Sequence, residues 1–281
     1  MVTVLRSLLF TPANRPQSFD KALVAGADCV CIDLEDAVPP DAKAAARPNA
    51  FAFLVGGSAD GPLRCIRINT LSSVAGALDL AELAKVAPKN GLLMLPKVGS
   101  ASELQLVASV LDEMCSDISL IALIETAKGL SAIDDIACAS DRLCALMFGG
   151  VDLSMELSAE MTSDTMRMAR ARIVHAARGA GRGVLDVPEL DFRNIEKVQA
   201  VANNAVANGF TGKAAIHPSN LSAINLAFTP TRDEISRAQE IIAAFEAAPS
   251  GLVVIDGKLI EAPVIKGMRQ RIAIAREAGV V

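Results

Sequence analysis

Eight short runs of apolar residues, rich in Val, Ile and Leu, alternate with longer amphipathic segments through most of the chain. The runs cover residues 4–10, 28–34, 63–69, 91–97, 118–125, 143–150, 182–186 and 212–217. Strands that are apolar almost throughout are buried on both faces, so this pattern predicts a parallel sheet whose strands are joined by helices. The sequence therefore indicates an α/β protein.

The number of these units favours a closed barrel over an open sheet. Eight strand–helix units in about 220 residues match the size of a (β/α)8 TIM barrel. The alternative is an open doubly wound sheet, which usually carries a glycine-rich phosphate turn after its first strand. Here the first run is followed by TPANRP, which is not such a turn. We therefore expect the barrel.

The chain continues beyond the eighth run with about 50 residues that a barrel does not need. A helix is predicted over 233–247, a hairpin around Asp256-Gly257 and a last helix over 263–278. We accordingly expect a barrel domain over residues 1–228 and a C-terminal helix–hairpin–helix extension over 229–281. The hairpin of this extension would either cover the mouth of its own barrel or reach a neighbouring subunit.

Composition disfavours two classes of partner. The net charge is −5, the chain has nine Phe but no Trp or Tyr, and no block of basic residues occurs. Binding of nucleic acid through stacking or a basic stripe is therefore not expected. No apolar run reaches the roughly 18 residues of a membrane span. The N-terminal MVTVLRSLLFTPANRP does not have the pattern of a signal peptide, so the cytoplasm is the expected location.

Charged and polar residues are concentrated at the carboxyl ends of the predicted strands, where active sites of barrels lie. In chain order they are Asp33, Glu35, Asp36, Arg67, Asn69, Lys97, Glu125, Asp152, Asp186 and His217. Buried charges are costly unless they are paired or bind a metal. The large number of charged and polar residues at these strand ends predicts a functional site more strongly than any single residue does.

Glu125 and Asp152 are the preferred metal ligands. Each follows an apolar strand, and two acids from neighbouring parallel strands would project into one pocket. That arrangement suits a hard divalent cation such as Mg²⁺, which takes oxygen ligands and keeps positions open for water or substrate. In the alternative, both acids belong to a salt-bridge network with Arg67 or Lys97.

The basic residues and the remaining acids have more than one possible role. Arg67 could bind a substrate carboxylate and stabilise an enolate, or it could neutralise the acid cluster, and the two roles are compatible. Lys97 is a substrate-binding candidate, or alternatively a Schiff-base nucleophile. The acids Asp33, Glu35 and Asp36 could bind the metal directly, but Glu35 and Asp36 are expected instead to hold waters or orient Arg67. His217 supports the site, since a lone histidine at a strand end is more often structural than catalytic.

Nine sequence motifs, in order, carry a resemblance to a known family. They are RSLLFTPANRP, GADCVCIDLEDAV, RCIRIN, MLPKV, ALIETAKG, MFGGVDL, AIHPSN, FTPTRDEISRAQEII and GLVVIDGKLIEAPV. Together they resemble the citrate lyase β-subunit-like branch of the HpcH/HpaI aldolase family, which includes malyl-CoA lyases.

The resemblance implies a Mg²⁺-dependent TIM barrel, with Mn²⁺ as a possible substitute. Such an enzyme would cleave or form carbon–carbon bonds in 3-hydroxyacyl-CoA thioesters of the malyl, citramalyl or citryl type, by retro-Claisen chemistry. By motif match, Glu125 and Asp152 are metal ligands, Arg67 binds substrate and steadies the enolate, and Arg15 binds near the CoA or substrate. A homotrimer or homohexamer is implied, with the C-terminal segment covering a neighbour's site.

One motif departs from the family pattern. Family lyases carry an aspartate in an I-D-x-P motif, proposed as the general acid/base, whereas this chain has Ile260-Glu261-Ala262-Pro263. Glu261 keeps the carboxylate but extends it by one methylene. Two alternatives to a lyase therefore stay open: a malyl-CoA-type thioesterase that uses the same metal site, and a non-catalytic subunit that binds an acyl-CoA or acyl-carrier thioester.

Overall fold

The computed structural model describes residues 5–57, 61–248 and 252–281. The chain divides into two compact units, Met1–Asn225 and Leu226–Val281. Residue 4, with which the first predicted strand begins, lies outside the described residues.

Eight parallel strands form the centre of the first unit. They are β1 (Ser7–Pro12), β2 (Cys29–Asp33), β3 (Leu63–Arg67), β4 (Leu92–Leu95), β5 (Ser119–Ile124), β6 (Leu143–Phe148), β7 (Gly183–Asp186) and β8 (Gly212–Ala215). Each strand pairs with the next, and β8 pairs with β1 through Ser7–Lys213 and Leu8–Ala214. The closed order confirms the predicted (β/α)8 barrel.

Helices follow or connect the strands. They are α1 (Phe19–Leu23), α2 (Lys43–Val55), α3 (Val74–Val86), α4 (Ala101–Glu113), α5 (Ala127–Ser131), α6 (Ile133–Ala137), α7 (Gly150–Glu156), α8 (Asp164–Gly179), α9 (Ile195–Ala207) and α10 (Leu221–Phe228). Short 3₁₀ turns cover Pro16–Ser18, Pro40–Ala42 and Pro218–Asn220. Four of the helices begin after a side chain that accepts a backbone N–H, as N-caps do: Ser73, Thr126, Ser163 and Asn194.

The barrel interior is filled by alternate residues of the strands. This cluster includes Leu8, Cys29, Cys31, Cys65, Met94, Ile121, Leu123, Met147, Leu185 and Ala214. Side chains two positions apart on a strand point to the same face. Asp33, Arg67 and Glu125 each lie two residues beyond an interior residue, so they continue the interior column at the carboxyl end of the barrel.

The second unit contains the predicted helix–hairpin–helix. It consists of α11 (Arg232–Glu246), β9 (Val253–Ile255), β10 (Lys258–Ile260) and α12 (Ala262–Glu277). The two strands are antiparallel and turn at Asp256 and Gly257, whose φ angles are 51° and 73°. Two consecutive positive φ angles are typical of the tight turn that Asp-Gly favours. Among the described helices, none combines the length and the hydropathy required to cross a bilayer.

Candidate active site

Glu125 is the buried acid at the centre of the barrel mouth. It follows β5 directly and is only 3% exposed. Its Oε1 accepts a hydrogen bond of 2.9 Å from the backbone N–H of Lys97, which lies beyond the end of the neighbouring strand β4. This bond orients the carboxylate without neutralising its charge.

Asp152 reaches the site from a helix and not from a strand end. The predicted sixth strand runs to residue 150, but β6 ends at Phe148 and α7 begins at Gly150, which places Asp152 in the first turn of α7. Its side chain is 39% exposed, and its nearest cation is the Lys97 ammonium at 3.6 Å. Asp152 is thus the solvated acid of the pair, and Glu125 is the buried one.

Arg67 is bound tightly to the acidic loop after β2. Its Nε and Nη2 donate to the two carboxylate oxygens of Asp33 at 2.8 and 2.6 Å. Nη1 lies 3.1 Å from Glu35 Oε2 and 3.7 Å from Asp36. The bidentate edge of the guanidinium is therefore occupied by Asp33, so the neutralising role considered for Arg67 is present in the geometry. Burial alone would lower the pKa of Arg67, but the hydrogen bonds and charge of Asp33 raise it above its ordinary value.

Lys97 connects the acids of the site through both its backbone and its side chain. Its Nζ lies 2.6 Å from Glu35 Oε1 and 3.7 Å from Asp36 Oδ1. Its backbone adopts a φ of 51°, which is uncommon for a residue with a Cβ and requires support from its surroundings. Burial tends to lower the pKa of Lys97, but the hydrogen bond and charge of Glu35 outweigh it, so the pKa is raised and the amine stays protonated.

Glu125, unlike Arg67 and Lys97, is not stabilised in its charged form by its surroundings. Burial raises the pKa of Glu125 to about 8; the charge of Glu35 raises it further, the charge of Arg67 opposes these effects, and Asp152 and Lys97 have weaker effects that raise and lower it respectively. Burial also raises the pKa of Glu35, against the charge of Arg67 and the hydrogen bond from Lys97. The Glu125 carboxylate therefore has less positive charge around it than its burial requires.

One cavity of about 440 Å³ lies at the carboxyl end of the barrel, and Glu35 and Lys97 contact its charged residues without belonging to its lining. Its charged lining is formed by Asp33, Asp36, Arg67, Glu125 and Asp152. Its apolar lining includes Phe10, Leu123, Met147, Val151, Val187, Pro188 and Ile216. A small molecule with carboxylate or hydroxyl groups at one end and an apolar portion at the other matches such a lining.

The residues present fit a divalent cation such as Mg²⁺. No group of three His, Cys, Asp or Glu side chains is arranged as a complete metal site within residues 5–57, 61–248 and 252–281. Mg²⁺ does not need one, because it is commonly held by one or two carboxylates together with waters and substrate oxygens. The raised pKa of Glu125 supports the fit, since a cation beside it would supply the missing positive charge.

Two other predicted site residues lie around the mouth. Arg15 is exposed in the loop after β1. His217 is exposed beyond β8, and its ring stacks on Phe192 with centroids 4.9 Å apart. Neither side chain lines the cavity itself, although Ile216, the residue before His217, does.

Asn69 and Asp186, two of the strand-end candidates, lie outside the cavity lining. Asn69 bonds through its side chain to Asp79 at 2.6 Å. Asp186 follows the interior residue Leu185 and so faces away from the barrel interior, where it pairs with Arg170 at 2.9 Å and with Lys213 at 3.0 Å. Both act as structural partners in the helical layer.

Glu261 belongs to the second unit. It lies directly before α12, as the N-cap residue, and is exposed. Its side chain makes no capping hydrogen bond to the helix. The Glu261 carboxylate therefore does not cap α12.

Two contributors at the barrel mouth are absent from the sequence prediction. The ring of Phe10 lies 5.0 Å from the Arg67 guanidinium carbon, a cation–π contact. The Lys43 ammonium binds the backbone carbonyls of Leu34 and Glu35 at 2.8 and 2.7 Å and so fixes the acidic loop. The alternation along β1, which puts Phe10 on the same face as the interior residue Leu8, is a signal that could have revealed Phe10. No local signal marks Lys43.

A family model described as HpcH/HpaI aldolase/citrate lyase matches residues 6–218, which span the whole barrel. The chain belongs to this family. The resemblance inferred from the motifs is thereby confirmed, and the chain is a member whose barrel mouth has the acids and the arginine described above.

Relatives and solved structures of this family extend over nearly the whole chain. An L-malyl-CoA/beta-methylmalyl-CoA lyase of Cereibacter sphaeroides is 31% identical, with 98% of this chain and 95% of the relative covered. A (3S)-malyl-CoA thioesterase of the same species is 34% identical, with 96% and 94% covered. The crystal structure of CitE from Mycobacterium tuberculosis in complex with magnesium, acetoacetate and coenzyme A matches with a TM-score of 0.81 and 31% identity, and covers 98% of this chain and 100% of that one.

Proposed function

We propose that this family member is a Mg²⁺-dependent carbon–carbon lyase that acts on a 3-hydroxyacyl-CoA thioester of the malyl, citramalyl or citryl type. Mn²⁺ is expected to substitute for Mg²⁺. The similarity to a malyl-CoA lyase over almost the full length of both chains supports this reaction class. The similar CitE structure, which holds magnesium and coenzyme A, supports the cofactor and the thioester.

One observation carries the proposal: a buried carboxylate short of positive charge and a second, solvated carboxylate line the same cavity. Glu125 and Asp152 both face it, and burial together with the neighbouring acids raises the pKa of Glu125 to about 8. A salt-bridge network alone would neutralise its acids, as Arg67 does for Asp33 at 2.6 Å. Within the described residues, Glu125 accepts a hydrogen bond from the backbone amide of Lys97 and has no ion pair within 4 Å, so a metal ligand is the better interpretation.

In this proposal Glu125 and Asp152 hold Mg²⁺. When bound there, the cation would polarise the hydroxyl and carboxylate oxygens of the substrate and stabilise the negative charge that develops on them.

The chain's own residues then position the thioester and move the proton. Arg67 is held by Asp33 with its guanidinium at the edge of the cavity, so its charge can stabilise an enolate without reorganisation. Lys97 keeps its positive charge and fixes Glu125 through its N–H. Glu261, whose carboxylate is not committed to α12, is the proposed general acid/base for the carbon that becomes the acetyl methyl group.

The second candidate function is hydrolysis of a malyl-CoA-type thioester at the same metal site. Two observations favour it: the thioesterase relative is 34% identical over 96% of this chain, and Glu261 replaces the aspartate of the lyase motif. A carboxylate displaced by one methylene could activate water at the thioester carbonyl instead of serving the carbon–carbon step.

A panel of malyl, citramalyl and citryl thioesters, assayed with and without Mg²⁺, tests the function. A lyase gives a keto acid and the shorter acyl-CoA, whereas a thioesterase gives the free hydroxy acid and CoA. We expect keto acid formation that chelation with EDTA abolishes. Cleavage that continues after thorough chelation would contradict the metal-dependent mechanism.

The assembly is part of the same proposal. We infer a homotrimer or homohexamer in the cytoplasm, in which residues 229–281 of one copy bring Glu261 to the barrel of the next. Exposure of the Glu261 carboxylate is compatible with that role. Sedimentation analysis, together with the complementation experiment given in the Discussion, tests it.

A further inference from the structure

Lys213 is a buried cation that the proposed lyase chemistry does not use. It lies on β8, is 2% exposed and directly precedes the interior residue Ala214, so its side chain points away from the barrel interior, into the layer between strands and helices. Its Nζ lies 3.0 Å from Asp186 Oδ2 and donates a hydrogen bond of 2.5 Å to the backbone carbonyl of Val187. The ammonium therefore connects β8 to the loop that follows β7.

Neutralisation of Asp186 does not explain this lysine. The Asp186 carboxylate already accepts two hydrogen bonds, of 3.0 and 2.9 Å, from the guanidinium of Arg170. Arg170 in turn donates to the side chain of Asn204 at 2.9 Å. Removing a second cation from water is costly, and a buried ion pair is often no more stabilising than apolar side chains of similar volume. The contact that only Lys213 supplies is the one with the Val187 carbonyl.

The loop after β7 is fixed at two points by buried donors. Val187, the first residue beyond β7, is bound by Lys213. Further along the loop, the carbonyl of Phe192 accepts a hydrogen bond of 2.7 Å from the side-chain amide of Asn220, which is 2% exposed. A segment whose backbone is held by buried hydrogen bonds opens less readily than one that is held by solvent-exposed bonds. The loop is therefore built as a rigid element.

This loop forms part of the apolar wall of the cavity. Val187 and Pro188 both line the cavity, together with Ile216, which follows β8. Apolar side chains contact the uncharged part of a substrate. A wall discriminates between substrates that differ by one methyl group only where it cannot move away from the larger one. Through the Val187 carbonyl, Lys213 holds the backbone of this wall directly.

We propose that Lys213 is a positioning residue, which fixes the apolar wall through the Val187 carbonyl and thereby determines which acyl substituents the cavity accepts. Lys213 does not touch the substrate, because it lies outside the cavity lining. The selection of acyl substituents rests on the proposed function, whereas the fixing of the loop does not.

Lys213→Met tests the proposal, because methionine keeps an unbranched side chain of similar length but removes the ammonium. The malyl and citramalyl thioesters differ by one methyl group, and we expect the wild type to prefer one of them in kcat/KM. In Lys213→Met this preference should fall about tenfold. Arg170→Gln is the matched control, since it removes the other cation bound to Asp186 but leaves the contact between Lys213 and Val187. An unchanged preference in Lys213→Met, or an equal loss in both variants, would overturn the proposal.

Amide hydrogen exchange of residues 187–194, measured by mass spectrometry on the full-length protein, separates this proposal from the lyase. Within the segment the N–H of Asp191 donates to Glu189 Oε1 at 2.9 Å. We expect the segment to exchange about tenfold faster in Lys213→Met and at the wild-type rate in Arg170→Gln. That result, in a protein that cleaves no thioester, would support the positioning role and contradict the lyase. Thioester cleavage with equal exchange in Lys213→Met would leave the lyase intact and overturn the proposal.

Val187→Ala provides a second test that does not depend on the folding of Lys213→Met. Val187 is only partly buried, so its truncation widens the wall while the barrel core stays filled. The preference between the malyl and citramalyl thioesters should fall in this variant as well. A wild-type preference in Val187→Ala, or a wild type that does not distinguish the two thioesters, would show that the wall does not select the acyl group and would overturn the proposal.

Discussion

Gly149 leaves the space that the Glu125 side chain occupies. A Cβ at Gly149 would lie 2.3 Å from Cβ of Glu125 and 2.8 Å from its Oε2. Gly149 follows β6 and Glu125 follows the neighbouring strand β5. Because Gly149 has no side chain, the Glu125 carboxylate can occupy the space beside it. The glycine before α7 is therefore part of the proposed metal site, although it contributes no ligand.

Gly149→Ala should displace the Glu125 carboxylate and lower kcat/KM about a hundredfold, because misplacement of a catalytic group by about 1 Å has an effect of that size. Mg²⁺ affinity, measured by calorimetry, should fall as well. Gly179→Ala is the matched control, since a Cβ at Gly179 meets no atom within 4 Å. Full Mg²⁺ affinity in Gly149→Ala would show that Glu125 is not a metal ligand.

The raised pKa of Glu125 predicts a pH-dependent metal affinity. Burial raises this pKa to about 8, and a carboxylate must be ionised to bind Mg²⁺. Below pH 8, apparent affinity should therefore fall by up to about tenfold for each pH unit, with release of a proton on binding. Calorimetry in buffers of different ionisation enthalpy measures both quantities. A flat profile between pH 6 and 8 would contradict the assignment.

The same group affects the stability of the metal-free protein. Because the folded-state pKa of Glu125 lies above that of an unfolded glutamate, its stabilising contribution is complete at low pH and is lost as pH rises towards 8. Glu125→Gln, which stays uncharged, should lose this dependence. We expect its melting temperature to exceed that of the wild type at pH 8 by on the order of 5 °C in EDTA.

Arg67→Lys tests the pair with Asp33. The guanidinium makes two hydrogen bonds to Asp33, of 2.8 and 2.6 Å, and an ammonium cannot make both in that geometry. Asp33 is buried, so the substitution should destabilise the fold by about 3 kcal/mol and lower kcat more than a hundredfold. Denaturant unfolding and steady-state kinetics measure the two effects. A variant with normal kcat would remove Arg67 from the proposed reaction.

Lys97 should not form a Schiff base near neutral pH. Its amine is held protonated by Glu35, at 2.6 Å, and a protonated amine is not a nucleophile. Borohydride added with a keto acid should therefore leave both activity and the mass of the peptide containing Lys97 unchanged. A reduced adduct on Lys97 would instead support the metal-free aldolase.

Glu261 is expected to act on a neighbouring copy. Glu125→Gln and Glu261→Gln should each be inactive, because one variant lacks the proposed metal ligand and the other lacks the proton-transfer group. After mixed refolding at equal amounts, about a quarter of the sites in a cyclic oligomer would combine two intact residues, so activity should recover to about that fraction. Mixtures that stay inactive would place both residues of a site on one chain, or remove Glu261 from the mechanism. Refolded wild-type protein gives the reference activity.

Much of the fold could be predicted from local patterns. The eight apolar runs correspond to the eight strands because a strand buried on both faces must be apolar along its length. The hairpin of the second unit was predicted from Asp256-Gly257, since this dipeptide tolerates the two positive φ angles that the turn requires. The acids of the site, Glu125 and Asp152, were recognisable because they follow apolar runs.

Because a buried strand is apolar along its whole length, its sequence does not show which strand-end residues face the barrel interior. When both faces are apolar, the period-two alternation disappears, and nothing local distinguishes Asp186, which pairs with Lys213 outside the cavity, from Glu125 inside it. The end of β6 was also placed too late, because Gly149 and Gly150 continue an apolar run although Gly150 already belongs to α7.

The sequence by itself determined the order of strands and helices, the family and the set of candidate acids and bases. Only the tertiary structure decided which of them meet. Lys97 contacts Glu35 across 62 positions of sequence, and Arg67 is bound by Asp33 across 34. Which residues meet depends on how the barrel closes and on which face of each strand points inward. Both are properties of the packed sheet and not of any local segment.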